Sequence, residues 1–535
     1  MANFHFSLGA GLGVNSAQKG GQESKNVGIN LGSVVKNAVD EVTDVSQNLI
    51  NIIAGGSVKS SSSDNVSVQV PYPELPALPN TYKTFSLGHG GIPESERKTA
   101  IAAATKYHES LKSNVLGSPV NFKLDFQEFS SYMDIPVFNT GDPFTENNSV
   151  INSKFMERAV LDYYAELWNA KWPHDENDGE SYWGYITPMG ASEANIYALW
   201  NARDYLSGKL SAAEAGIFKH VAENSNAYNP VLLSSGSKHY SFPKGCAILG
   251  LGTVIEIPVD ATGAVRIEDL TKAAEFYASQ GHPIIICFNY GSTVNGAYDD
   301  VARACEALKP ILEKYNLFER DLVYENEAGE IKKSIRRAGY WVHVDGAFGS
   351  SYMPFIEMAH SRGMIGAKGP TFDFRLPMVS SISSSEQKFT GVPVPTGILM
   401  SKVKFQIIAD SPPEYIGGRP TLSGTRNGLA PMLLWNSIAR NSYDDKIKKA
   451  LAIQETAEYM EKKLRNLQDI DVKRNPLSLT LRFKCPNNDI CKKYSLWADN
   501  VNGSFYTNVF AMEHVSKELI DALFEDLSAP DAFKR

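Results

Sequence analysis

The chain has 535 residues, 43% hydrophobic and 10% aromatic, and its 52 Lys+Arg against 60 Asp+Glu leave a formal net charge of −8. That is material for a large core and for more than one domain of ~100–200 residues, and the acidic balance excludes a sequence-independent nucleic-acid binder, which needs a concentrated basic surface. No apolar run approaches the ~18–20 residues of a bilayer span; the longest, Pro283–Phe288, reads as a buried strand.

Residues 1–7 lack the basic stretch and apolar core of a signal peptide. Five scattered cysteines, an odd count, do not make a disulfide framework. Cys485 and Cys491 have no CxxC or His partner, so no metal site is expected. A cytoplasmic protein with reduced thiols is the expectation.

Residues 1–80 are rich in Gly, Ser and Asn and read as a low-complexity N-terminal extension. Within them Leu31, Val35, Ala38, Val42, Val45, Leu49 and Ile52 recur at spacings of four and three, which predicts an amphipathic helix over 31–53, lying on the body of the protein or on a partner. Residues 81–150 alternate helical and irregular stretches, with a turn at Asn139–Phe144, and read as an N-terminal arm. From 151 to 430, short apolar runs (247–251, 284–289, 340–344) alternate with helical patterns (151–172, 267–280, 300–316). That alternation predicts an α/β large domain with a mostly parallel sheet. Residues 431–535 read as a small α+β domain: a helix over 431–465, strands near 477–484 and 504–511, and a terminal helix.

Four constellations carry chemistry. Gly190-Ala191-Ser192 opens a helix, where unpaired N–H groups and the helix dipole favour a phosphate, although the same residues also read as plain N-capping. His239, after the apolar Val231–Leu233, is placed to cover a flat ring or move protons; a lone His is more often structural. Asp345 ends the apolar run Tyr340–Val344, and a carboxylate is rarely buried without a partner, so ligand contact suits it better than packing. Lys388 sits among small hydroxyl residues before Gly391 and Pro393, and a desolvated lysine can form a Schiff base with an aldehyde. Together they are what pyridoxal phosphate requires.

In this order the segments resemble the group II pyridoxal-phosphate-dependent amino-acid decarboxylases of fold type I (aspartate-aminotransferase-like), in the branch with the histidine, serine, methionine and valine enzymes. The likeness runs from about residue 120 to the C-terminus. It includes Asn139–Phe144, Gly184–Asn195, His239–Ser241, Gly291–Thr293, His343–Ala347, Ser385–Gly391, Glu414–Arg419 and Ser423–Gly428. It implies that Lys388 holds pyridoxal 5'-phosphate, that Asp345 pairs with the pyridine nitrogen, and that His239 and Ala347 cover the two ring faces. Ala191, Ser192, Ser385 and Gln387 would lie at the phosphate, with Ser423 of the partner subunit reaching it in a homodimer whose sites lie at the interface. Thr293 would lie near the ring substituents, and Asn139, Gly141, Asp142 and Phe144 would border the substrate.

The implied reaction is α-decarboxylation of an L-amino acid, with His239 or Tyr415 protonating Cα. There is one clear departure from the family: it has His before the lysine where this chain has Gln387, which donates a hydrogen bond but carries no proton or charge. The Gly-Ala-Ser spelling at 190–192 also differs from that of the histidine and serine enzymes. With no charged motif dedicated to a charged side chain, the expected substrates are methionine, leucine or valine; histidine and serine are the alternatives. Aldehyde-forming oxidative decarboxylation, lyase chemistry and an inactive partner protein are competing outcomes on the same fold.

Overall fold

A computed structural model describes residues 81–146, 148–406 and 419–534. The chain divides into two units, Met1–Ser86 and Leu87–Arg535. In the first the described element is a helix, Thr81–Phe85; everything below concerns the second. The helix expected over 31–53 lies outside the described residues.

A seven-stranded sheet is built from β1 (Tyr182–Thr187), β2 (Val231–Ser235), β3 (Ile255–Ile257), β4 (Ile284–Asn289), β5 (Tyr340–Asp345), β6 (Val379–Ser385) and β7 (Gly397–Lys402). Its order is β1-β7-β6-β5-β4-β2-β3. The run from β6 to β3 is parallel, while β7 pairs antiparallel with both β6 and β1. Helices Ser241–Leu249, Ile267–Ser279, Val301–Lys314 and Met353–Ser361 make the crossovers that parallel strands need.

Local sequence explains these elements. β4 is the unbroken run Ile-Ile-Ile-Cys-Phe-Asn, buried throughout, as a strand covered on both faces must be. Helix Val301–Lys314 buries Val301, Ala304, Cys305, Leu308 and Leu312, one stripe at helical spacing, and the Asp300 side chain caps its start by accepting from the Arg303 N–H. Each large apolar side chain so buried contributes roughly 1.5–3 kcal/mol relative to exposure. β6 is different: Val-Ser-Ser-Ile-Ser-Ser-Ser is fully buried despite its hydroxyls. Ser381 accepts from Trp341 Nε1 and Ser383 donates to Asn195 Oδ1, so these serines satisfy neighbouring polar groups.

Two expected elements are corrected. The run 247–251 is the end of helix Ser241–Leu249, stopped where Gly250 and Gly252 both take left-handed φ, at 67° and 70°. The helix expected over 431–465 is two, Leu429–Ala439 and Tyr443–Leu464. Ser442 separates them by forming a reciprocal capping box with Asp445, which starts the second helix afresh. Strands Thr480–Lys484, Ser504–Phe510 and Asp499–Val501 form a C-terminal sheet in that order, and helix Lys517–Leu527 packs on Tyr443–Leu464. A second antiparallel sheet, Phe218–Val221, Arg320–Asn326 and Lys332–Arg337, was not anticipated. Among the described residues no helix is long and apolar enough to cross a membrane.

Candidate active site

The carboxyl ends of the central strands meet in register. Asn289 on β4 pairs with Asp345 on β5, which pairs with Ser383 on β6; beyond them Ser385, Gly397 and Thr187 align across β6, β7 and β1. Ligands of parallel sheets bind outside such ends. A cavity of about 140 Å³ opens there.

Lys388, Asp345, His239 and Ala347 line it, as do Ala191, Ser192 and Thr293, together with Ser385 and Gln387. The structure therefore brings together nine residues singled out in the sequence. Lys388 lies 5.5 Å from the centroid of the Phe348 ring. Burial pushes its pKa below the usual lysine range, with the charge of Asp345 opposing. A lysine so desolvated spends more time as the free amine, the form that attacks a carbonyl. His239 is also lowered by burial, opposed by Asp345 and aided by Lys388 and Lys244, so it stays neutral near pH 7. Asp345 is almost fully buried; its Oδ1 accepts from the Ala347 N–H at 3.1 Å and its Oδ2 from Asn195 Nδ2 at 2.8 Å.

The other end of the cavity is a cradle of small groups. Gly190 turns the chain at φ 68° from β1 into helix Ala191–Leu206. The turn is propped by the buried Glu193, which accepts from the Met189 N–H and the Tyr185 hydroxyl, each at 3.1 Å; burial raises its pKa. Ser385 Oγ accepts from the Ala191 N–H at 3.1 Å, which leaves its own proton for a ligand. Gln387 Oε1 accepts from the Thr396 N–H at 3.2 Å, so its Nε2 donors point elsewhere. A Cβ at Gly190 would sit 3.4 Å from that Nε2 and 3.5 Å from Ser385 Oγ, narrowing the cradle. An anion-sized space ringed by N–H and O–H donors, next to a desolvated lysine and a carboxylate, fits pyridoxal phosphate.

Other expected residues lie elsewhere. Asn139 is buried, donating to Glu157 Oε2 at 2.7 Å and accepting from the Ser153 N–H at 2.7 Å. Gly141 offers its carbonyl to Arg426 at 2.8 Å. Asp142 accepts from the N–H groups of Phe144 and Arg419 and from Trp183 Nε1, and Phe144 stacks on His174 with centroids 3.8 Å apart. None of the four lines the cavity; Asn139 and Gly141 are bonded to the buried Arg426–Glu157 ion pair instead. Ser423 is exposed and outside the lining. Tyr415 lies outside the described residues.

The cavity also takes in Ser237, Asn289, Gly291 and Ser292, none of which was assigned a role from sequence. Asn289 carries the same signal as Asp345, a polar residue ending an apolar strand. Asp345 is the sole carboxylate and Lys388 the sole lysine in the lining among the described residues.

A family model described as the pyridoxal-dependent decarboxylase conserved domain matches residues 148–476. The structure is similar to L-methionine decarboxylase of Streptomyces sp. 590, with a TM-score of 0.78 and 36% identity, covering 83% of this chain and 97% of that one. Serine decarboxylase 3 of Oryza sativa subsp. japonica is 28% identical, covering 78% of this chain and 79% of its own. Histidine decarboxylase of Vibrio campbellii (strain ATCC BAA-1116) is 27% identical, covering 77% and 89%.

Proposed function

The chain belongs to the pyridoxal-dependent decarboxylase family, as a pyridoxal-phosphate-dependent carboxy-lyase of fold type I, and on that premise we propose that it decarboxylates a neutral L-amino acid with an aliphatic or thioether side chain, methionine, leucine or valine. The observation that carries this reading is the lining itself: its two charged groups, Asp345 and Lys388, are those the cofactor engages, which leaves no described lining charge to recognise a charged side chain. The higher identity to the methionine enzyme than to the serine and histidine enzymes supports the same choice.

Bound in the cavity, the cofactor supplies an electron sink for the charge left at Cα when carbon dioxide departs. Lys388 would hold its aldehyde, and its lowered pKa keeps more of the side chain as the free amine that bonding to a carbonyl requires. Asp345 would pair with the pyridine nitrogen, its carboxylate favouring positive charge there. Ala191, Ser192, Ser385 and Gln387 take the phosphate, with the fixed amide of Gln387 donating at every pH. His239 and Ala347 would cover the ring faces, and Thr293 would lie near the ring substituents. His239 and Tyr415 are the two candidates for returning a proton to Cα. The working form is a homodimer in which Ser423 of the partner subunit completes the phosphate site.

The test is a panel of L-amino acids offered to the cofactor-loaded protein, with products identified by mass spectrometry and the Lys388→Ala variant alongside. One dominant amine from methionine, leucine or valine, absent in the variant, is the expected result. A dominant amine from histidine or serine would overturn the substrate assignment, and aldehyde with ammonia would overturn simple decarboxylation.

A further inference from the structure

Asn195 lies in the first turns of helix Ala191–Leu206, fully buried and outside the cavity lining, and all four of its side-chain hydrogen-bond positions are filled. Its partners come from three elements. Oδ1 faces Ser383 Oγ at 2.7 Å and His343 Nε2 at 3.0 Å; Nδ2 faces Asp345 Oδ2 at 2.8 Å and Ser241 Oγ at 3.0 Å.

The direction of each bond is determined from both ends. At one end, Trp341 Nε1 can only donate, and it donates to Ser381 Oγ at 2.9 Å; the Ser381 hydroxyl sits 2.8 Å from His343 Nδ1. At the other end, a carboxylate can only accept, so Asn195 must turn its amide nitrogen to Asp345 and its carbonyl to His343. His343, neutral because burial pushes it down to about 4, then carries its proton on Nε2 and accepts from Ser381 at Nδ1. On the second branch, Ser241 Oγ accepts from Asn195 and is left to donate to His239 Nδ1 at 2.9 Å, a nitrogen that also takes the Ser241 backbone N–H at 3.2 Å. Neutral His239 therefore holds its proton on Nε2, on the side of the ring away from Ser241.

We infer that Asn195 is a positioning residue that joins Asp345 and His239, the carboxylate and the imidazole of the cofactor site, into one directional hydrogen-bonded chain. A single amide orients Asp345 toward its ligand and, through Ser241, selects the Nε2–H tautomer of His239. The inference rests on the cofactor reading given above, since it is there that Asp345 and His239 touch the ring.

The first measurement is ¹⁵N NMR of histidine-labelled, cofactor-loaded enzyme, with the two rings assigned through His239→Gln and His343→Gln. Protons on Nε2 of both rings are expected; a proton on Nδ1 of either reverses the chain and overturns the inference, whatever any variant does. The second uses Asn195→Asp, which keeps the acceptor for His343 and Ser383 but sets a second carboxylate against Asp345. Two such groups share a proton, and one of them is released at a strongly raised pH. The cofactor absorbance of N195D should gain a pH-dependent step between pH 5 and 9 that the parent enzyme lacks. No added step overturns the inference, and so does the same step in Ser383→Ala, which trims a bond to Asn195 and leaves both donations of its amide intact. Both readouts use resting enzyme with no amino acid present, so an error in the substrate assignment leaves them readable. A parent protein that takes up no cofactor would fail the site reading instead.

Discussion

Burial of His343 makes a signed prediction about acid stability. The ring is pushed down from 6.5 to about 4 by desolvation, with Asp345 and Ser381 opposing. The folded protein thus keeps this ring neutral down to about pH 4, while the unfolded chain binds a proton below about 6.5. Its contribution is fully present above the unfolded value and is lost as pH falls through the folded one. The interval corresponds to about 3 kcal/mol in all, and roughly 2–3 kcal/mol of it is gone by pH 4.5. His343→Gln removes the titration while offering an acceptor to Ser381 and a donor to Asn195. Urea unfolding of both proteins from pH 4.5 to 7.5, followed by tryptophan fluorescence, isolates the effect as a difference at each pH. Asp299, a buried carboxyl pushed up to about 7, works in the opposite direction and favours the fold at low pH, but it is common to both proteins and cancels. The variant should gain on the parent by roughly 2–3 kcal/mol between pH 7.5 and 4.5. A flat difference would refute the neutral, buried imidazole.

Asp345→Asn leaves one acceptor where two N–H groups converge, from Asn195 and Ala347. The expected loss is about 1–3 kcal/mol of stability and about 10²–10³-fold in kcat; a variant with unchanged melting and turnover within threefold would contradict both. Glu157→Gln strands Arg426, only 1% exposed, without its counter-charge. Denaturation should show a loss of about 3–5 kcal/mol, and a loss under about 1 kcal/mol would mean that the carbonyls of Gly141 and Ile186 suffice. The two candidate proton donors separate in His239→Gln and Tyr415→Phe, where the true donor should lower amine release by about 10²–10⁴-fold; near-normal rates in both would exclude each.

Asp345 and Lys388 were legible because their residue types were wrong for their surroundings, whereas Ala347, Thr293, Ser385 and Gln387 came from the family resemblance. A carboxylate closing an apolar strand and a lysine among small hydroxyl residues both announce a partner outside the core. What escaped was set by partners distant in the chain. Asn195 is one polar residue on a helix, and its significance comes from His343, Asp345 and Ser383, 148, 150 and 188 positions away. Asn139 and Asp142 are expected beside the substrate, and nothing local shows that they bond Glu157, Trp183 and Arg419. The run 247–251 looked like a strand on hydropathy alone, whereas the glycines at 250 and 252 were the better guide. Ser442-Tyr443-Asp444-Asp445 did carry a readable start signal, masked by the helical pattern on either side of it. β6 has too little hydropathy to mark itself as a central strand, and its place depends on hydroxyls pairing with Trp341, His343 and Asn195.

The row of paired strand ends at the cavity also bears on how the protein opens. Asp345 closes one strand and Lys388 follows the next by three residues, so their separation derives from the ~4.7–4.9 Å step between neighbouring strands and not from the reach of a long loop. Frayed ends and surface loops can exchange amide hydrogens at little free-energy cost, but freeing either group means parting the middle of the sheet. Amides of β5 and β6 should therefore exchange at the slowest, global rate, and warming should abolish cofactor binding in the same transition that melts the sheet, with no earlier softening of the site.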